Sequence, residues 1–512
     1  MNAVDYLLEC GDEDRIALID TVAHHSYRDL WAACRQMAAA LQQSGVGAGD
    51  RVGLLASNSL FWVASYLAIL GLGAVCVPLS TFLSPSGLQE LVAMAGCRAL
   101  CLQRRHERRL GASFSPGPLQ ILSDEFVGRA TQTPGSWTAA HAACDDGSLA
   151  ALMFTSGTTA RPRLVMVSHG NIRANTESII ASLGLTRDDR MMVVLPFFYC
   201  FGTSLLHTHL RVGGSLVLSD SFAYPEATLD MLQSTECTGF AGVPSTYQTL
   251  LRNSSFHERS LPVLRSVQQA GGRLPDVLIR ELAEVVPEAE IFIMYGQTEA
   301  TARLSCLPSG LLLTKLGSIG CGIPGVDLQV MGEDGLPVKP GQVGEIVARG
   351  GNITLGYLDE PVASAEKFMD GALHTGDLAT VDEDGFLYIV DRKADFIKCY
   401  GHRVSSQQVE AGILKLPEVV VAAIVGVPNE EQGEAIVAFV TLRDGAGLSP
   451  ERILEHCRQH LARHMVPSQV VVLPRMPMNA NGKILKAELR SLAASRYGAG
   501  EAQLSPETKP IP

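Results

Sequence analysis

The segment Phe154–Gly170, FTSGTTARPRLVMVSHG, combines small hydroxyl residues, glycine and arginine in an order suited to phosphate chemistry. An apolar run leads into Thr155, Ser156, Gly157, Thr158 and Thr159, and the cations Arg161 and Arg163 follow. Exposed backbone N–H groups and hydroxyls can surround phosphate oxygens, and arginine adds charge-assisted hydrogen bonds. The alternative, a surface turn rich in Ser and Thr, leaves this clustering unexplained. The segment predicts a loop for a nucleoside triphosphate, but not a Walker A loop, because GxxxxGK[ST] is absent.

Three other patterns resemble functional motifs, and we interpret each as structural. GCGIPG at Gly320–Gly325 fits the dinucleotide fingerprint but precedes an extended run instead of opening a helix. His456, His460 and His464 share one helix face, yet interleaved arginines and the lack of a carboxylate in that series favour a solvated surface over a metal site. RRHERR at Arg104–Arg109 is expected to be an exposed turn and not a polyanion site.

Further motifs, taken with the phosphate loop, resemble those of the adenylate-forming superfamily, which includes acyl-CoA synthetases, adenylation domains of peptide synthetases and firefly luciferase. The resemblance covers nearly the whole chain, and the motifs occur in the family order. They are TSGTTARPR from Thr155, LPFFYCFG from Leu195, GVPSTY from Gly242, QAGG from Gln269, MYGQTE from Met294, HTGD from His374, DRKADFIKCYGHRV from Asp391, and NANGKILK from Asn479.

The resemblance implies an α/β fold in which a large N-terminal domain has two α/β subdomains plus a small β-barrel. A small, mobile α+β C-terminal domain completes it. We expect residues 1–391 to bind ATP and the acid, residues 392–497 to form a catalytic lid, and residues 498–512 to be a loose tail.

The implied activity is that of an AMP-forming acid–thiol ligase. A carboxylic acid and ATP form an acyl-adenylate, and a pantetheine thiol of coenzyme A or of a carrier protein then accepts the acyl group. Both anions must meet in the first step, so preorganised cations lower its barrier. By resemblance Lys483 bridges the carboxylate and adenylate oxygens, Thr298 contacts the α-phosphate, and Glu299 holds Mg²⁺ jointly with the ATP phosphates.

The resemblance also assigns the remaining site residues. Nucleotide binding falls to the loop Thr155–Thr159 with Arg163, to the adenine shelf of Gly271, Gly272, Met294, Tyr295 and Gly296, and to the ribose-binding Asp377 and Arg392. The domain hinge falls on Ala394, and the thiol tunnel on Tyr400 and Gly401.

Four positions depart from the family pattern: Ala160 and Leu164 replace glycines, Arg163 replaces a lysine, and Ala394 replaces an Asp or Lys. Ala160, Arg163 and Leu164 make the phosphate loop bulkier than is typical of the family. A second hypothesis therefore stays open, in which the protein is a non-catalytic relative that binds a nucleotide or an acyl-adenylate. Retention of both Lys483 and Glu299 favours the enzyme.

The acid pocket is predicted to be lined by Phe198, Tyr199, Phe201, Ser204 and Tyr247. The stretch Leu195–Leu210 contains no Asp or Glu that could hold a substrate ammonium, and burying an unpaired ammonium would cost several kcal/mol. We therefore expect an aryl or aliphatic acid and not an α-amino acid. Arg303 could favour a polar substituent or form a structural ion pair, and the sequence leaves both open.

Short apolar runs alternate with helical patterns through the first 300 residues, which predicts parallel sheets covered by helices. Examples are the strands Ala99–Leu102, Leu149–Phe154 and Ser215–Leu218 and the helix Pro275–Val285. Residues 111–148 lack periodicity and are expected to be irregular. Beyond residue 315, short strands punctuated by glycine predict a β-rich subdomain, and beyond residue 392 an α+β unit whose last helix pattern is Pro450–His464.

Composition narrows the class of protein. The 512 residues are 46% hydrophobic and carry a formal net charge of −12, which argues against a nucleic acid partner. The 12 cysteines form no CxxC pair, and the acidic N-terminus does not resemble a secretory signal, so a reducing cytoplasm is expected. Phe61–Ser80 is apolar but interrupted by Gly71, Gly73 and Pro78, which favours a buried helix and strand over a membrane span. Monomer and homodimer both stay open.

Overall fold

The computed structural model describes residues 1–111, 114, 119–127, 141–155, 162–219, 222–392, 396–429, 432–479 and 481–497. The chain divides into two compact units. The first is Met1–Val390 with Ala480–Lys483, and the second is Asp391–Asn479 with Ile484–Pro512. The predicted tail, residues 498–512, lies outside the described residues.

The strands, in chain order, are β1 (Ile16–Ile19), β2 (His24–Ser26), β3 (Arg51–Leu55), β4 (Val75–Pro78), β5 (Ala99–Leu102), β6 (Gln120–Leu122), β7 (Leu149–Phe154), β8 (Leu164–Ser168), β9 (Arg190–Val193), β10 (Ser215–Leu218), β11 (Gly239–Gly242), β12 (Ser266–Gln269), β13 (Glu290–Tyr295), β14 (Ser305–Leu307), β15 (Cys321–Gly322), β16 (Val326–Met331), β17 (Gly344–Gly350), β18 (Phe368–Met369), β19 (Ala372–Val381), β20 (Leu387–Arg392), β21 (Ile397–Cys399), β22 (His402–Val404), β23 (Val419–Asn429), β24 (Gly433–Leu442) and β25 (Gln469–Val472).

The α-helices are α1 (Ala3–Leu8), α2 (Tyr27–Gln43), α3 (Leu60–Gly71), α4 (Pro85–Ala95), α5 (Arg104–Leu110), α6 (His169–Leu183), α7 (Cys200–Val212), α8 (Pro225–Ser234), α9 (Pro244–Arg252), α10 (Asp276–Val285), α11 (Pro361–Lys367), α12 (Ser406–Ile413), α13 (Pro450–His460) and α14 (Lys486–Tyr497).

The first unit is built on two large sheets with strand orders β15-β14-β13-β12-β11-β9-β10-β1-β2 and β6-β5-β3-β4-β7-β8. Most neighbouring strands pair in parallel, as predicted, because helices connect them. The pairs β1–β2, β7–β8, β13–β14 and β14–β15 are antiparallel, because no α-helix lies between these consecutive strands in the described part of the chain. The β7–β8 and β13–β14 connections carry predicted site residues.

One hydrophobic core joins residues of both large sheets to the helices between them, α2, α3, α6 and α7. Helix α3 is buried along nearly its whole length and leads into the buried strand β4, as the sequence predicted for the apolar stretch after Phe61. In the described part of the chain, no helix is both long and apolar enough to cross a membrane.

The β-rich subdomain is a five-stranded sheet of order β16-β17-β19-β18, with β20 also pairing with β19. This path has free ends, so the predicted small barrel is a half-barrel. The second unit has its own five-stranded sheet, order β22-β21-β24-β23 with β25 beside β24, and the helices α12, α13 and α14.

Two local predictions were wrong, and a third was incomplete. RRHERR forms helix α5 and not a turn, since its cationic side chains can all remain in solvent on a one-sided helix that buries only Leu110. Helix α13 ends at His460 instead of His464, because Leu461 adopts an extended conformation and a short 3₁₀ turn, Arg463–Met465, follows. The irregular stretch after residue 111 also contains strand β6.

Candidate active site

The predicted phosphate loop connects β7 to β8, and the structure describes the two residues at its neck. The Thr155 N–H donates to the Arg163 carbonyl at 3.0 Å, and the Arg163 N–H donates to Thr155 Oγ1 at 3.4 Å. These bonds extend the antiparallel pairing of the hairpin to the base of the loop. The predicted phosphate ligands Ser156, Gly157, Thr158 and Thr159, together with Ala160, lie outside the described residues.

Arg163 faces the start of α11. Its Nε is 3.0 Å from Glu360 Oε2, and its guanidinium carbon is 5.1 Å from the centre of the Tyr357 ring. The side chain remains partly exposed, so a phosphate could compete for it. Leu164, a departure from the family glycine, is buried in β8 opposite Phe154, where its side chain packs in the sheet core.

Glu299 follows the end of β13 and is fixed by residues far away in the chain. Tyr357 donates its hydroxyl to Glu299 Oε1 at 2.8 Å, and Thr354 donates its N–H and its hydroxyl to the Glu299 carbonyl at 3.1 and 2.9 Å. Burial, followed by the adjacent carboxylate, raises the pKa of Tyr357, so the phenol remains a donor at neutral pH.

The donor set at Glu299 fits Mg²⁺. Glu299 is partly buried, and among the described residues its Oε2 has no hydrogen-bond partner. Mg²⁺ in ATP sites is held by one or two carboxylates plus phosphates and water instead of an all-protein cage. The described chain contains no cluster of three His, Cys, Asp or Glu side chains able to hold a metal.

Thr298 contacts the first residue of α7. Its hydroxyl lies 3.6 Å from Cys200 Sγ, and both side chains adjoin Glu299 at the carboxyl end of β13. Burial raises the pKa of Cys200, and the charges of Lys483, Glu299 and Arg303 also act on this thiol. The start of α7 is therefore the point at which the predicted catalytic groups converge.

The predicted adenine shelf lies at the ends of β12 and β13. Gly271 has φ +87°, and a Cβ there would stand 2.9 Å from both the Tyr199 hydroxyl and Val243 Cγ1. A Cβ on Gly272 would meet Pro244 at 3.2 Å, and one on Gly296 would overlap the Ala302 carbonyl. A larger residue at Gly271 or Gly296 would displace its neighbours.

The predicted ribose ligand is connected to the same shelf. Tyr295, next to the buried Met294, donates its hydroxyl to Asp377 Oδ2 at 2.6 Å. Asp377 is 6% exposed, and its backbone N–H donates to the Thr375 hydroxyl. The carboxylate is thus held on β19, an interior strand of the half-barrel. Nothing is described of the Arg392 side chain.

Lys483 belongs to the short segment that clusters with the first unit. The Gly482 carbonyl accepts a hydrogen bond from Ser245 at 2.8 Å, and Lys483 Nζ stands 5.4 Å from the centre of the Tyr199 ring. A cation over an aromatic face is stabilised by the ring quadrupole. The structure therefore brings Lys483 to the side chain that precedes α7.

Only some of the residues predicted to line the acid pocket lie together in the structure. The rings of Tyr199 and Phe201 meet edge to face at 6.4 Å, and Ser204 lines a small apolar cavity beside α7 with Cys200, Thr203 and His207. Phe198 is half-buried. Tyr247 differs from the prediction: it is fully buried in a separate core and donates its hydroxyl to the Gln268 carbonyl at 2.8 Å, so it supports β12 and does not line this cavity.

The predicted thiol-tunnel residues form the turn between β21 and β22 in the second unit. Tyr400 and Gly401 have φ of +50° and +76°, as in a two-residue hairpin turn, and Tyr400 is 57% exposed. Their contact with a thiol stays a prediction. The predicted hinge, Ala394, lies outside the described residues.

Sequence reasoning missed Tyr357, Glu360 and Cys200. Tyr357 and Glu360 belong to no motif, and Tyr357 is 58 positions from the carboxylate that it contacts. Cys200 falls inside the LPFFYCFG motif but was not interpreted. Tyr357 and Glu360 can be recognised only from the folded structure, in which the segment after β17 lies beside the β7–β8 hairpin.

Comparisons with known proteins agree with this geometry. Residues 10–358 match the family described as AMP-binding enzyme, and residues 408–483 match its C-terminal domain. Feruloyl-CoA synthase of an Amycolatopsis species is 32% identical over 91% of this chain and 93% of that protein. The 2-succinylbenzoate–CoA ligase of Geobacillus kaustophilus is 31% identical over 94% and 95%.

Solved structures cover the same length. The anthranilate CoA ligase AuaEII in complex with anthranoyl-AMP superimposes with a TM-score of 0.88 at 26% identity, over 97% of this chain and 98% of that one. The o-succinylbenzoate CoA synthetase of Bacillus subtilis with ATP and magnesium ion gives 0.81 at 28%, over 95% and 99%. The chain belongs to the adenylate-forming superfamily of AMP-binding enzymes and is an AMP-forming acid–thiol ligase that uses ATP, Mg²⁺ and coenzyme A.

Proposed function

We propose that this enzyme activates an aryl carboxylic acid and transfers the acyl group to coenzyme A. One observation carries the proposal: Lys483, Thr298 and Glu299 converge on the start of α7, beside the rings of Tyr199 and Phe201. Aromatic walls bind flat apolar substrates by burying their surface. The names of the relatives, which refer to feruloyl, 2-succinylbenzoate and anthranilate groups, support an aromatic acid.

In the first half-reaction a carboxylate oxygen attacks the α-phosphorus of ATP, and pyrophosphate leaves with the electron pair of the broken P–O bond. Lys483 is assigned to the charge that develops between the carboxylate and the α-phosphate, and Thr298 to an α-phosphate oxygen. Mg²⁺ supplies neutralisation of phosphate charge, and Glu299 is the residue assigned to hold it. Asp377 is assigned to accept the ribose hydroxyls.

In the second half-reaction the thiolate sulfur attacks the acyl carbon, and AMP leaves. We propose that coenzyme A brings this thiol past Tyr400 and Gly401, and that Ala394 is the pivot between the two steps. A carrier protein is the alternative acceptor. Twelve unpaired cysteines support a reducing cytoplasmic location, and the oligomeric state is proposed to be a monomer or a homodimer.

The test is ATP–pyrophosphate exchange measured against a panel of acids, followed by thioester formation from the best acid. We expect exchange with benzoate- and cinnamate-type acids to exceed exchange with alanine or proline. Faster exchange with a free amino acid would overturn the aryl assignment. Binding of ATP without exchange for any acid would instead favour the non-catalytic alternative. Thioester formation on free coenzyme A, compared with a phosphopantetheinylated carrier protein, distinguishes the acceptors.

A further inference from the structure

Arg303 follows a strained three-residue turn, Ala300–Ala302, that comes directly after Glu299. Thr301 has φ +64° and ψ −60°, and the Ala302 N–H donates to the Ala300 carbonyl at 2.6 Å. This three-residue turn is rare and strained for a residue other than glycine. It directs the backbone of Arg303 back toward α6 and α7.

Two buried asparagines fix the Arg303 backbone. The Arg303 N–H donates to Asn175 Oδ1 at 3.1 Å, and the Arg303 carbonyl accepts from Asn175 Nδ2 at 2.9 Å and from Asn352 Nδ2 at 2.8 Å. A peptide held on both sides by buried amides cannot rotate freely. The fold therefore determines where the Arg303 side chain leaves the backbone.

The Arg303 side chain is buried without a counter-ion. The residue is 2% exposed, its guanidinium carbon stands 4.6 Å from the centre of the Phe201 ring, and its Nε has no hydrogen-bond partner. Across the described residues, no carboxylate lies within ion-pair distance of it. By contrast the buried Arg252 pairs with Glu281 at 2.5 Å. The ion pair that the sequence left open for Arg303 is thus absent there.

The groups next to this guanidinium carry no compensating charge. They are Cys200, Cys306 and Tyr199, and burial raises the pKa of Cys200 and raises that of Cys306 to about 11. Burial lowers the pKa of Arg303 itself to about 10, which still leaves it protonated at neutral pH. Burying an unpaired cation is strongly unfavourable, and the aromatic face of Phe201 offsets only part of this cost.

The position of Arg303 relative to the reaction centre suggests what the charge is for. Phe201, below the guanidinium, and Tyr199, below Lys483, stand edge to face across the start of α7. Lys483 is assigned to the carboxylate that reacts. Arg303 therefore contacts Phe201, a predicted pocket residue other than the Tyr199 that Lys483 contacts, and it carries a planar set of donors suited to a second carboxylate.

We propose that Arg303 binds a second, ionised carboxylate of the substrate, so that the preferred acid is a dicarboxylic acid of which only one carboxylate is adenylated. This inference rests on the proposed function and specifies its substrate class. A neutral carbonyl or hydroxyl would accept hydrogen bonds from the guanidinium, but it would leave the buried charge uncompensated. A substrate anion compensates the charge only when the pocket is filled, which makes Arg303 a specificity-determining residue.

The experiment compares matched acids that differ only in the second charge. The pairs are 2-succinylbenzoate with 4-oxo-4-phenylbutanoate, homophthalate with phenylacetate, and glutarate, adipate and pimelate with their monomethyl esters. For each pair, kcat/KM for ATP–pyrophosphate exchange is measured with the wild-type enzyme, Arg303→Met and Arg303→Lys. Arg349→Met, which removes an exposed charge on β17, is the matched control.

We expect at least one diacid to exceed its matched monoacid by about 10–100-fold in the wild-type enzyme, the range for a charged hydrogen-bonding partner. Arg303→Met should reverse this preference, Arg303→Lys should retain part of it, and Arg349→Met should leave it unchanged. A second readout, the rise in unfolding temperature on adding the diacid alone, should disappear in Arg303→Met.

The outcomes separate this inference from the proposed function. If monoacids support exchange at least as well as every matched diacid, the enzyme is an acid ligase and the role of Arg303 is refuted. An unchanged preference in Arg303→Met refutes it equally. If no acid of either kind supports exchange, the proposed function itself fails. Should Arg303→Met not fold, the wild-type preference and Arg303→Lys decide.

Discussion

Replacing Tyr357 with phenylalanine tests how Glu299 is oriented. The substitution removes only the hydroxyl that donates to Glu299 Oε1 at 2.8 Å. The ring should still pack edge to face on Phe368 at 5.8 Å and remain under the Arg163 guanidinium. Any change in activity can therefore be attributed to the lost contacts of the hydroxyl with Glu299 and Arg163 and not to lost packing.

The expected magnitude follows from the charge of the acceptor. A hydrogen bond to a charged group contributes about 1.5–3 kcal/mol, and about 1.4 kcal/mol corresponds to a factor of ten. Removing a partner that orients a metal ligand typically weakens metal affinity by about 10–100-fold. We expect Tyr357→Phe to raise the Mg²⁺ concentration needed for half-maximal adenylation by that factor, with a smaller change in kcat at saturating Mg²⁺.

The assay is ATP–pyrophosphate exchange over a range of free Mg²⁺ at fixed ATP and acid. Tyr388→Phe is a matched control, because Tyr388 donates to Asp382 at 3.2 Å on the half-barrel. If the hydroxyl acts through Glu299, Tyr357→Phe should have little further effect in a Glu299→Gln background. An unchanged Mg²⁺ dependence, or fully additive losses in the double variant, would refute the reasoning.

Two further predictions concern Lys483 and His207. Lys483→Ala should slow acyl-adenylate formation by about 10²–10³ while thiolation of preformed adenylate survives, as measured by the two half-reactions separately; equal loss in both would remove Lys483 from the adenylation step. Burial lowers the pKa of His207 to about 3, and its Nε2 lies 2.8 Å from the Tyr66 hydroxyl. The unfolded chain then binds one more proton than the folded chain between about pH 3 and 6.5, so stability should fall as pH drops through that window. In His207→Gln this pH slope of the denaturant-unfolding free energy should decrease by about one proton, and an unchanged slope would contradict the assignment.

The sequence predicted the elements that carry the site better than it predicted the contacts within the site. Strands such as β5, β7 and β10 are short apolar runs buried on both faces, and their bounds agree with the prediction. The orientation of Tyr247 was not predictable in the same way. Helix α9 presents several faces, and only the packing of β11 and β12 decides that Tyr247 points into the core.

The contact between Tyr357 and Glu299 was unpredictable for a different reason. Pairing of β7 with β8 brings the loop neck beside the chain after β17, where Val165 bridges to Tyr357. No local pattern encodes a hydrogen bond between residues that separate strands place together. The same holds for Arg303, whose lack of a counter-ion is a property of the folded environment.

The segment Glu299–Arg303 concentrates features that oppose folding: the positive φ of Thr301 and the unpaired charge of Arg303. The hydrogen bonds from Thr354, Asn175 and Asn352 stabilise the segment in spite of them. Such conflicts between local preference and fold are expected at functional sites.

If the charge of Arg303 binds a ligand, it should not contribute to the stability of the ligand-free protein. Arg303→Met, similar in length and apolar, should then leave the free energy of unfolding unchanged or raise it by about 1–4 kcal/mol, as when buried charges are replaced by apolar side chains. Arg252→Met provides the comparison, because it removes a buried arginine's ion pair with Glu281 and should destabilise. Both are measured by denaturant unfolding without acid or ATP. A loss in Arg303→Met as large as that in Arg252→Met would identify Arg303 as a structural residue.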